Sequence, residues 1–184
     1  MANIGLSQPY YSTYTESSGT ITYGTAKKLG KATTVDLSID NKDPEKLYAD
    51  NGVAETLSLF SSGTVTLGID ELDLATAAEI LGLSAPSSSG GITFTADAVA
   101  PYVGLGFIVK KIKAGTIKYR AIAFFKAQFK PVDFSVNTQG ETVEFQTPEL
   151  EATIMKDDSS TPQWSWWEDF DTESAALSAL QAKI

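Results

Sequence analysis

The chain has 184 residues with a net charge of −9, 42% apolar and 20% charged residues, enough for one domain with its own core. It contains neither cysteine nor histidine. That excludes disulfides, thiolate chemistry, Ser-His-Asp triads and the usual zinc ligand sets, leaving carboxylate, lysine or tyrosine chemistry to any enzyme reading. The first residues, Met1-Ala2-Asn3-Ile4-Gly5, carry no basic and apolar signal pattern, and no apolar run approaches a membrane span, so a cytoplasmic protein without a membrane partner is expected.

Residues 1–19 are rich in Tyr, Ser and Thr without strong periodicity and read as an arm or edge segment. Gly19-Thr20-Ile21-Thr22-Tyr23, Gly63-Thr64-Val65-Thr66-Leu67 and Gly115-Thr116-Ile117-Lys118-Tyr119 each read as a glycine turn opening a β-branched strand. Alternation is clearest at Thr34–Asp40, where Val35, Leu37 and Ile39 share one face and Asp36, Ser38 and Asp40 the other. Val65, Leu67 and Ile69 repeat it, which predicts an antiparallel sheet with one polar face. Residues 41–62 form a long connection with a tight Asp50-Asn51-Gly52 turn, and a connection of that length reads as a contact arm.

Asp73 followed by Leu74–Leu81 and Gly82 predicts a capped helix, with Leu74, Ala77, Ala78 and Leu81 as its packing stripe. Ser84–Gly91 is a Pro/Ser/Gly loop. Tyr102–Ile112 and Thr116–Phe129 pair as a long hairpin through Lys113-Ala114-Gly115, and further strands are expected at Thr142–Phe145 and Leu150–Met155. Asp171 or Thr172 caps a terminal helix over 171–183. The order gives a mainly β (α+β) chain, an antiparallel sandwich with a flanking helix and a C-terminal helix in a single domain, 1–184.

Charge is unevenly placed. Lys110, Lys111, Lys113, Lys118, Arg120, Lys126 and Lys130 are half of the 14 basic residues, whereas eleven acidic residues follow Val132. A solvated face, a nucleic-acid stripe and complementary patches between identical subunits all fit this pattern, although the acidic balance argues against general nucleic-acid binding. Asp70, Glu71 and Asp73 lack a calcium-loop spacing and read as helix-capping acids. Glu149 and Glu151 could mimic a glycosidase pair, and Trp164, Trp166 and Trp167 a sugar-stacking platform. Trp164 and Trp166 are expected on one face and Trp167 on the other. Gly104-x-Gly106 is not followed by a helix and is no phosphate loop.

Several segments together resemble the major tail proteins of long-tailed bacteriophages with flexible, non-contractile tails. They are Leu47-Tyr48-Ala49-Asp50-Asn51 with Ala54-Glu55-Thr56, then Gly63–Asp70, Ala78-Glu79-Ile80-Leu81-Gly82 and Gly104-x-Gly106-Phe107. The Lys-rich hairpin, Val143–Pro148 leading into Leu150–Ile154, and the tryptophans before Asp171-Thr172-Glu173 extend the likeness over residues 33–182. The resemblance implies a β-sandwich that forms hexameric rings stacked into a virion tail tube, enclosing a tape-measure protein, meeting tail-end proteins and later conducting DNA. It implies no active site and no cofactor. On this reading Leu47, Tyr48, Asp50, Asn51, Leu57, Leu59 and Phe60 are inter-ring contacts. Asp36, Asp40, Glu144, Glu149 and Glu151 are candidates for the lumen wall, and Lys110, Lys111, Lys113, Lys118 and Arg120 for an inter-subunit basic hairpin. A carbohydrate- or surface-binding β-sandwich module is the alternative.

Overall fold

The computed structural model describes residues 2–42, 45–49, 52–57, 59–86, 90–132, 138 and 147–184, with only the backbone given at 45–49, 52–57 and 113. The chain runs β1 (Ala2–Ser17), β2 (Thr20–Tyr23), β3 (Lys27–Lys28), β4 (Ala32–Asn41), β5 (Glu45–Ala49), β6 (Gly52–Leu57) and β7 (Phe60–Ile69). Then come α1 (Leu74–Leu81), β8 (Tyr102–Lys113), β9 (Thr116–Phe129), β10 (Glu149–Met155), β11 (Ser165–Phe170) and α2 (Glu173–Gln181). The expected strand at 142–145 lies outside the described residues.

Nine strands form one antiparallel sheet in the order β2-β1-β8-β9-β10-β7-β4, with β3 added to β1 and β11 to β9. Two hairpins are closed by two-residue loops, Ser18-Gly19 and Ala114-Gly115, in which both residues take positive φ. That mirror-image turn matches the right-handed twist of paired strands. β9 divides the sheet, because the same edge serves two neighbours. Tyr119–Phe124 pairs with β11, and Lys126–Phe129 with β10.

The β10–β7–β4 branch folds over β8 and β9. Val65 and Leu67 from β7 and Leu150, Ala152 and Ile154 from β10 bury against Leu105, Phe107, Val109, Ile122 and Phe124. This gives the mainly β, sandwich-like architecture expected from alternation. α2 covers the opposite face of the same central hairpin, where Ala176, Leu180 and Ile184 meet Ile108, Ala121 and Ala123. Thr172 caps it, its hydroxyl accepting from the Ala175 amide.

Three local expectations need correction. Residues 1–19 are not a free arm; Ala2–Thr13 runs along β8, and Tyr11 is fully buried. The alternation is hidden because the register slips between Ser7 and Tyr10, where Gln8 takes φ 54°. β7 begins at Phe60, so Gly63 lies inside the strand rather than at its opening turn. In α1, Ala77, Ala78, Ile80 and Leu81 face the core while Leu74, beside the Asp73 cap, is exposed.

Candidate functional site

Two of the acidic candidates lie on β4 and two on β10, and both strands flank β7. Asp36 stands opposite Thr66, and Thr66 opposite Glu151, so the three form one row across the sheet. Thr34, Gly68 and Glu149 form the next row, while Asp40 faces Ser62. Inward neighbours Val65, Leu67, Leu150 and Ala152 are buried, so this row set looks outward. The result is a continuous outer face of carboxylates separated by Ser, Thr and Gly. Asp36, Asp40 and Glu149 are exposed, whereas Glu151 is paired with Lys130. Glu144 lies outside the described residues.

The basic hairpin is largely neutralised within the chain. β11 lies antiparallel on β9 with Asp169 directly opposite Arg120, and the guanidinium donates to both carboxylate oxygens at 2.6 and 2.7 Å. Those hydrogen bonds hold the Asp169 carboxyl below the usual range, against a smaller opposing effect of burial. Lys118 pairs with Asp171, and Lys126 with Asp158 at 2.5 Å. Lys126 also lies over the rings of Tyr102 and Tyr14, at 4.4 and 5.3 Å. Lys118 and Arg120 already hold acids of their own chain, because the register of β11 brings the C-terminal segment onto the hairpin. Lys110 lies over Tyr119, and the side chain of Lys113 is outside the described residues.

The contact-arm segment forms its own two-stranded sheet, β5–β6, with Ala49 opposite Gly52. The side chains of Leu47, Tyr48 and Leu57, and residues Asp50 and Asn51 entirely, lie outside the described residues. Leu59 is exposed, but Phe60 stacks on Trp164 of its own chain with ring centres 4.4 Å apart and planes 5° from parallel. Phe60 thus packs, partly buried, against the core of its own chain.

The tryptophans separate. Trp164 precedes β11 and escapes its alternation, packing on the inner core, whereas Trp166 faces α2 beside Phe170 and Lys183. Their expected common face is therefore wrong. Trp167 points inward at the sheet edge and stays 48% exposed, its indole N–H donating to Ser165 Oγ at 2.6 Å. Among the acids read as capping groups, Asp73 accepts from the Ala75 and Thr76 amides, both at 2.9 Å, and Asp70 accepts from the amides of Lys31 and Glu71. Among the described residues, no three acidic side chains gather as a cation would require.

Sequence reasoning missed a slot between the layers. Val35 and Leu37 from β4 face Phe107, Val109 and Ile122, with Trp167, Lys111 and Arg120 at its border, around a volume of about 170 Å³. It lies between two strands, β4 and β11, that each have one unpaired edge among the described residues. The inward alternation of β4 was legible, but its incomplete cover was not. No helix of the described residues is long and apolar enough to cross a membrane. No protein-family model and no curated protein sequence matches this chain.

Proposed function

We propose that this chain is a structural subunit of a phage tail tube, assembling into rings that stack around a tape-measure protein and later conduct DNA. The observation that carries the reading is the convergence of Asp36, Asp40, Glu149 and Glu151, from distant parts of the sequence, onto one outward face of small hydroxylated residues. A wall of that chemistry repels a polyanion and offers its bases no aromatic platform. The edges of β2, β4 and β11 that have no partner among the described residues supply a second element, since such edges are satisfied when copies pair side by side. The subunit would then reside in the virion tail, ending against tail-end proteins, with no cofactor and no catalysis.

The test is assembly of the purified full-length chain, followed by light scattering over rising concentration and by negative-stain microscopy. Uniform hollow tubes are the expected product. A chain that stays solitary at every concentration, and forms no repeating wall in any particle, overturns the proposal. The alternative glycan-binding reading now rests on Trp167 alone, and retention of a stable monomer on a glycan array, lost on Trp167→Ala, would favour it.

A further inference from the structure

We infer that copies of this chain dock head to tail, the loop around Phe94–Val99 of one copy seating in the slot between β4 and β11 of the next. The inference rests on the assembly reading above and adds the residues that would carry one of its contacts.

The loop is an apolar knob. It leaves α1 and reaches β8 without helical or strand structure in its described part, yet Phe94 is 64% and Val99 76% exposed. The Ala98 amide donates to the Thr95 carbonyl at 3.2 Å, closing a turn that carries the exposed Asp97, which lies between Phe94 and Val99 in sequence. Its base is anchored too. The Ala100 carbonyl accepts from Gln128 Nε2 at 2.8 Å, and the Val99 carbonyl lies against Gly82, whose positive φ of 69° ends α1.

The slot is the complementary hollow. It is walled by Val35, Leu37, Phe107, Val109, Ile122 and Trp167, and its volume of about 170 Å³ has room for one large apolar side chain. Lys111 borders it and is only 7% exposed; it is within ion-pair distance of no acid among the described residues, although its charge helps to lower the Asp169 carboxyl. The neighbouring acid, Asp169, has both oxygens taken by Arg120. An acidic group brought in beside an apolar one would add a carboxylate to this cation, and Asp97, in the same short loop as Phe94 and Val99, is that combination. Opposite charges at such a contact fix register as well as adding attraction.

Geometry sets the contact between copies rather than within one. The loop is rooted at Tyr102, where β8 begins, and the slot is lined by Phe107 to Lys111 towards its other end. Nine residue steps of a strand span about 30 Å. A knob at one end and a hollow at the other make a heterologous contact, which closes into a ring or continues as a filament according to its rotation.

The absence of native cysteine makes the test direct. Thr95→Cys in one preparation and Asn3→Cys in another place thiols beside the knob and at the slot, both at exposed positions. Mixed and oxidised with diamide, they should form the heterodisulfide in about tenfold excess over either homodisulfide, because docking raises the local thiol concentration. Adding Phe94→Ser or Asp97→Lys to the Thr95→Cys chain should abolish the excess, and both are exposed sites that leave the fold intact. No excess of heterodisulfide while the native chain builds tubes overturns this contact and leaves the assembly reading standing. No excess and no assembly overturns both.

Discussion

Replacing Gly106 by alanine tests how α2 is seated. A Cβ built at Gly106 runs into Leu180 Cδ1 and comes within 2.7 Å of the Ile122 carbonyl oxygen. The first neighbour is the tip of a side chain and can move; the second is backbone in the paired strand and cannot move freely. Overpacking of this kind costs about 1–3 kcal/mol. Leu180 is fully buried, so Leu180→Ala should cost about 2–5 kcal/mol by itself. The double variant is the informative one. With Leu180 truncated, the new methyl enters vacated space, and only the contact with the Ile122 carbonyl remains. Its destabilisation should fall short of the sum of the singles by about 0.5–3 kcal/mol, the range found for residues in contact. Urea titration followed by tryptophan fluorescence measures this, since Trp166 packs beside α2, with circular dichroism as a second probe. Strict additivity, or a Gly106→Ala variant as stable as the native chain, refutes the claim that this position is glycine to let α2 approach the sheet.

Asp73→Ala removes the acceptor for the Ala75 and Thr76 amides and should cost about 1 kcal/mol in the same titration, whereas Asp73→Asn should recover most of it. At high pH the tyrosines set a limit: burial pushes Tyr14 up to about 12 and raises Tyr11 and Tyr23 as well. The folded chain therefore holds protons that the unfolded chain releases near pH 10. Their stabilisation is complete below about pH 10 and lost as pH rises further, so these three phenols should ionise together with unfolding in an ultraviolet titration. At low pH the sign reverses. The hydrogen bonds from Arg120 to Asp169, and from Lys126 and Tyr14 to Asp158, lower both carboxyls. Their contribution is present above about pH 4 and lost as pH falls through the lowered values, and Asp169→Asn should flatten the acid limb of a stability–pH profile.

The fold was readable wherever one rule governed a whole element. β4, β7 and the β8–β9 hairpin follow alternation or a two-residue turn, and both helices carry side-chain caps, so their type could be seen directly, although the start of β7 could not. β1 could not be seen, because its shift of register around Gln8 and Pro9 interrupts the period of the strand. Gly104 and Gly106 lie within β8, and the room they leave is filled by Leu180 and Ile184, nearly eighty residues away. Local pattern carries no information about such a neighbour.

The candidate site divides along the same line. Parity within a strand was enough to place Asp36 with Asp40, and Glu149 with Glu151, on polar faces. That those faces are one surface follows only from β7 lying between β4 and β10, a pairing across eighty residues. The basic hairpin shows the complementary limit of local pattern. A surplus of lysine in one segment and of acid in another states that opposite charges should meet, but not whether they meet within a chain or between chains. β11 decides that by lying on β9 with Asp169 against Arg120, a register that Trp167 over the guanidinium, 5.7 Å from its centre, helps to hold. With those pairs formed at home, Lys111 at the slot and Asp97 on the loop are two of the several charges that form no ion pair among the described residues. The docking proposed above, which sets a single charge pair beside an apolar side chain, should respond to salt weakly and to loss of Phe94 strongly, because the apolar side chain supplies the larger share of the buried area.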